Sequence, residues 1–169
     1  MNVSGRKRVI KCLLILCCAL AQAVPAADLI PAKLMSLDLA RDIAQGTIDA
    51  CRKDGYQIAV VVTDRSGHPL VVMRDVFASD YMRQIAHSKS NAVVLSHMNS
   101  GDMRRDLADI VPELNHLPGL LVMRGGLPVR VAGSIIGAVG VSGAPGGELD
   151  EACAQKGIDA VQDRLDFAD

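Results

Sequence analysis

GSIIGAVGVSGAPGGELDEACA, residues 133–154, is the stretch on which the fold turns. Ser134 to Val141 is apolar, partly β-branched and short, which reads as a strand. Gly143, Gly146 and Gly147 then permit a sharp reversal, and a helix follows from about Glu148 to Leu165. A glycine-rich run before a helix also raises the question of a phosphate site. The pattern G-x-x-x-x-G-K-[ST] is absent, and the spacing of Gly137, Gly140 and Gly143 does not give G-x-G-x-x-G. Glu148, Asp150 and Glu151 already complement the positive helix end and repel a phosphate. The glycines therefore read as structural. Gly137 and Gly140, inside a strand, allow a close backbone approach or a bulge, and the bare surface could also lie against a ligand or a neighbouring subunit.

Working outward, Ser36 is an N-cap. Leu37, Ala40, Ile43, Ala44, Thr47, Ile48 and Cys51 after it have helical spacing, so a helix runs to about Lys53 with Gly55 as its stop. Gln57–Thr63 and His68–Arg74 form a hairpin around the turn Asp64-Arg65-Ser66-Gly67. Ser79 caps a helix from Asp80 to about His97. Asn99-Ser100-Gly101 interrupts it, and a shorter helix, Asp102–Ile110, is closed by Pro112. Strands return at Leu120–Met123, Pro128–Ala132 and Ser134–Val141. The order α-β-β-α-α-β-β-β-α, with short turns inside each strand group, predicts an α+β domain with a five-stranded antiparallel sheet flanked by helices.

The amino terminus has a different character. Arg6, Lys7, Arg8 and Lys11 precede the apolar run Cys12–Ala21, and Ala21-Gln22-Ala23 matches an A-x-A cleavage site. Residues 1–23 read as an export signal, with cleavage before Ala27 as second choice, residues 24–34 as a linker and 35–169 as the domain. The apolar run is too short to span a bilayer comfortably. Leu14-Ile15-Leu16 before Cys17 lacks the small residues of a lipoprotein signal. The expected location is the periplasm or outside the cell. Removal of the signal leaves 14 basic residues against 19 acidic ones, a net charge of −5. Such a chain is poorly suited to nucleic acid, and no other segment is long and apolar enough for a stable membrane span. Cys51 and Cys153 remain, either as a disulfide in an oxidising compartment or as two small buried hydrophobes.

The carboxy-terminal half, GLPVRVAGSIIGAVGVSGAPGGELDEACAQKGIDAV, resembles the signature of the GlcG/HbpS-like haem-binding family, which includes the C-terminal domain of PduO-type proteins. IAVVVTDRSGHPLVVMRD resembles its hairpin, and IAHSKSNAV lies where the family has an alanine-rich helix with Lys-Ala. The resemblance spans Met35 to about Leu165. It implies a profilin-like sheet flanked by helices, homo-oligomers, and binding, sensing or degradation of haem.

Four histidines, His68, His87, His97 and His116, could meet iron, and none forms H-E-x-x-H or an i, i+4 pair. The resemblance does not select among them. His87, in mid-helix, is the best candidate for axial contact with a haem through a neutral imidazole, with Arg83 or Lys89 pairing a propionate. Arg83 and His87 are four apart and share a helix face, whereas Lys89 lies further round. The plainer reading of His87 is a partly exposed helix histidine. His97 and His116 could serve instead, and His68 reads as surface. No G-x-S-x-G elbow is present, and the acidic neighbours of Cys153 disfavour a thiolate. Glu148, Asp150 and Glu151 read as helix-capping charge rather than a metal site. Three functions stay open: an exported haem-binding protein, an enzyme of the same fold acting on haem or a small metabolite at a subunit interface, and a structural partner in an exported assembly.

Overall fold

The computed structural model describes residues 30–168. The export signal read from residues 1–23 lies outside them. From Lys33 onward the chain forms one folding unit. Its elements are α1 (Leu37–Lys53), β1 (Ala59–Asp64), β2 (Pro69–Arg74), α2 (Asp80–Ser96), α3 (Ser100–Asp106), α4 (Val111–Leu114), β3 (Gly126–Val131), β4 (Ser134–Ser142), α5 (Gly147–Asp159) and α6 (Gln162–Asp166). The strands make one antiparallel sheet in the order β2-β1-β4-β3.

Local chemistry sets the boundaries. Ser36 Oγ accepts from Leu39 N–H at 3.2 Å. Ser79 Oγ accepts from Tyr81 N–H at 3.1 Å. Each hydroxyl supplies an orphan donor at a helix start with an acceptor. The first helix, α1, ends before Gly55 (φ +80°), and α2 ends on His97, itself left-handed at φ 59°; such residues stop helices because they turn the chain out of the right-handed region. In the hairpin turn, Asp64 Oδ1 accepts from Ser66 N–H at 2.8 Å and from His68 N–H at 3.0 Å, the local side-chain bonding that favours aspartate in turns.

Alternation along the strands sends side chains to two faces. Ile58, Val60 and Val62 of the β1 region, with Val129, Val139 and Val141, form the main core beneath α1 and α5. The opposite face of β4 carries Ala138 and Gly140, and α2 lies directly upon it. A Cβ at Gly140 would run into the carbonyl oxygen of Ala86 and come within 2.9 Å of Ser90 N. The glycine is therefore what lets helix and sheet meet at backbone distance. The pair α1 and α5 is close for a similar reason: a Cβ at Gly157 would lie 2.5 Å from Ile43 O. Cys51 and Cys153 form a disulfide across this crossing, with Cα atoms 5.4 Å apart.

Among the described residues four strands are present where the sequence pattern predicts five. Leu120–Met123 is not a strand. Leu121 N–H donates to Ser88 O at 3.2 Å and Val122 N–H to Asn115 Oδ1 at 2.8 Å, so these donors go to α2 and a side chain rather than to a ladder. Val122, only 2% exposed, packs with Ala92 and Met103 in a small core of its own. A short apolar run has the same period whether a strand or a helix-covered loop buries it. Three further boundaries differ. The third helix, α3, starts at Ser100, whose buried hydroxyl accepts from Gly126 N–H at 2.8 Å. Pro112 sits in the first turn of α4, where its missing N–H costs nothing. The last helix breaks at Ala160-Val161 into α5 and α6.

Candidate functional site

The two flanks of α2 do different things. Met82, Ile85 and Lys89 point toward the loop that joins β4 to α5, and together they enclose a cleft of about 330 Å³. The far wall is Ser142 and the backbone of Gly143-Ala144-Pro145-Gly146-Gly147, and Met123, Arg104 and Arg124 close the third side. The glycine-rich stretch thus does line a cavity, from the end of a strand and the start of a helix.

The floor of the cleft is an ion pair. Lys89 is 2% exposed, and its Nζ donates to Asp150 Oδ2 at 2.7 Å and to Val141 O at 2.9 Å. The second carboxylate oxygen of Asp150 accepts from Ala144 N–H at 3.0 Å, which fixes the loop. Burial pushes the Asp150 carboxyl above its ordinary value, against the pull of the Lys89 charge and hydrogen bond and of the Ala144 amide. Desolvation thus outweighs the attraction of a lysine in direct contact.

Glycines make room for the cations. A Cβ at Gly125 (φ +120°) would lie 2.6 Å from Lys89 Nζ, one at Gly101 2.7 Å from Arg124 Cγ, and one at Gly147 2.5 Å from Arg124 Cβ. Arg124 is seated between the starts of α3 and α5, with Nη1 3.2 Å from Glu148 Oε1. Glu151 Oε1 accepts from Gly101 N–H at 3.2 Å and Gly125 N–H at 3.4 Å. The three carboxylates at the start of α5 therefore have separate structural partners. Among the described residues no three histidine, cysteine or carboxylate side chains gather as a metal site.

His87 and Arg83 lie on the other flank of α2. His87 is half-buried, with Nε2 3.1 Å from Gly67 O in the hairpin turn. Arg83, exposed, is held by Asp80 at 3.0 Å, and this hydrogen bond keeps the Asp80 carboxyl below its usual value. The structure brings Arg83 and His87 to one flank and does not bring Lys89 to them. Two residues beyond His87, Lys89 is about 160° round the helix and belongs to the floor of the cleft. His68, His97 and His116 are exposed, and His68 pairs with Asp64. Sequence reasoning missed Arg104, Arg124 and the Lys89–Asp150 pair. The pair spans 61 positions, and no local spacing announces it.

Residues 35–159 match the family described as "Haem degrading protein HbpS-like". The chain belongs to the HbpS-like family. It is similar to Protein GlcG of Escherichia coli strain K12, with 27% identity over 109 residues, 64% of this chain and 81% of that protein. A crystal structure of an HbpS double mutant from Streptomyces reticuli is 31% identical, covers 83% of this chain and 95% of that one, and superposes with a TM-score of 0.76. A PduOC–haem complex at 23% identity and TM-score 0.66, covering 76% of this chain and 95% of that one, shares the fold. The stretch matched to the HbpS-like family contains every residue of the cleft and both residues of the α2 flank.

Proposed function

We propose that this protein is an exported haem-binding member of the HbpS-like family, with haem on the outer flank of α2, His87 as axial contact and Arg83 at a propionate. The observation that carries this reading is the family match over residues 35–159, with HbpS similar in both sequence and fold. By the same resemblance, the helix-flanked sheet is read as profilin-like.

The residues on the flank fit a haem in kind. An imidazole and a guanidinium one turn apart suit iron and a carboxylate. Coordination through Nε2 exchanges the contact with Gly67 O for the metal. Bound haem supplies an iron centre; the protein orients it and holds its propionate. In a single copy His87 is half-buried and Arg83 exposed, so the flank lies open. A second copy of the chain, as a homo-oligomer, completes the enclosure in this proposal. The Cys51–Cys153 disulfide supports export, because such bonds persist in oxidising compartments.

Haemin titration into the purified protein, followed at the Soret band, tests the reading. Saturable binding is expected, and His87→Ala shifts the band and weakens affinity. Binding unchanged in His87→Ala but altered in His97→Ala or His116→Ala moves the site. No binding by the wild type removes haem as the ligand. Loss of bound haem under reductant favours degradation over storage or sensing.

A further inference from the structure

We infer that the cleft between α2 and the β4–α5 loop is a second, separate site that binds a small carboxylate with a short apolar body. Its volume is about 330 Å³. That sits at the low end for small-molecule pockets and is far too small to enclose a macrocycle. Three features define its occupant. The first is charge: the lining holds three cations, Lys89, Arg104 and Arg124, against two anions, Glu148 and Asp150, in a chain that is acidic overall. The second is unspent hydrogen-bonding capacity. An ammonium has three donors, and among the described residues Lys89 Nζ gives two of them, to Val141 O and Asp150 Oδ2. That leaves one donor of a side chain that lines the cleft without an acceptor among the described residues, and the proposal assigns it to the entering carboxylate.

Arg104 at the mouth makes no ion pair or side-chain hydrogen bond among the described residues, and its planar fork suits a carboxylate. Arg124, seated against Gly101 and Gly147, lines the same cleft and shares its charge with Glu148. The third feature is the wall: Met82, Ile85 and Met123 offer apolar, adaptable contact to a short chain. An anion with no apolar part leaves that wall wet, and a neutral molecule leaves the guanidinium of Arg104 without a partner. A small carboxylate satisfies both.

The inference does not depend on haem, and its test separates the two sites. Butyrate, inorganic phosphate and neutral 1-butanol are titrated into the whole protein, with the amide chemical shifts of Gly143, Ala144, Gly146 and Gly147 as readout. Butyrate is expected to shift these amides saturably, and butanol is not. Arg104→Ala, on an exposed side chain, weakens butyrate about tenfold, the loss of one charge-assisted pair. Glu148→Gln releases Arg124 and tightens binding. Both variants keep the haemin affinity of the wild type, so failure of haem binding leaves this result readable. The inference is overturned if butyrate leaves the amides of Gly143, Ala144, Gly146 and Gly147 unmoved, if butanol or phosphate binds as well as butyrate, or if Arg104→Ala binds as the wild type does.

Discussion

Lys89→Met breaks the buried ion pair at the floor of the cleft while keeping the length and apolar stem of the side chain. The side chains of Lys89 and Asp150 are 2% and 4% exposed, with Nζ and Oδ2 2.7 Å apart. Removal of one partner from such a pair strands the other charge and costs about 3–5 kcal/mol. Asp150 keeps its hydrogen bond from Ala144 N–H, so the lower end, about 3 kcal/mol, is expected. With a urea m-value of about 2 kcal/mol/M, the midpoint falls by about 1.5 M. The deficit depends on pH. The Asp150 carboxyl is raised in the folded wild type, chiefly by burial, and loss of Lys89 removes a force that lowers it. A group whose folded value is raised stabilises below its unfolded value and loses that contribution as pH rises through the folded value. The Lys89→Met deficit is therefore largest at pH 7 and shrinks as the pH falls toward the ordinary carboxylate range. Adding Asp150→Asn to Lys89→Met removes the stranded charge and recovers most of the loss at pH 7. Urea unfolding by circular dichroism from pH 4 to 8, with the disulfide intact, measures all of this. A cost below about 1 kcal/mol at pH 7, a deficit that does not shrink in acid, or a double variant no better than the single one refutes the reasoning.

Cys51→Ala with Cys153→Ala opens a link between residues 102 apart and is expected to cost about 4–5 kcal/mol by the loop-entropy estimate; equal urea midpoints with and without the link would oppose this. Gly140→Ala drives a methyl into Ala86 O and the turn at Ser90. It should cost about 3 kcal/mol and lower the thermal midpoint by about 10 °C. A calorimetric midpoint within about 2–3 °C of wild type, a shift of about 1 kcal/mol or less, tells against the close contact. Mass spectrometry of protein recovered from its native compartment is expected to show a first residue of Val24, or Ala27 as second choice; an intact Met1 rules out the cleaved signal.

Local signals by themselves determined most of the elements. Ser36 and Ser79 announce the starts of α1 and α2 because a hydroxyl that accepts a first-turn amide is a property of a few neighbouring residues. Asp64 and Gly67 announce the hairpin for the same reason. The resemblance carried by GVSGAPGGELDEACA led to the HbpS-like family without any coordinates. What tertiary structure alone decided is whatever depends on residues far apart meeting. Leu120–Met123 has a strand's composition, yet the amides of Leu121 and Val122 bond Ser88 and Asn115, and the side chains of Leu120 and Val122 pack with Ala92 and Met103 of α2 and α3. Cys51 and Cys153 stood as disulfide or buried thiols until the crossing of α1 and α5 brought their Cα atoms to 5.4 Å. Lys89 read as the weaker partner for a propionate, further round the helix than Arg83, and it is the most deeply buried cation of the described chain because Asp150, 61 residues on, turns toward it across a gap that Gly125 leaves open. Periodicity reports which side of a helix a residue occupies; what waits on that side is set by how distant segments pack, and no local pattern encodes it.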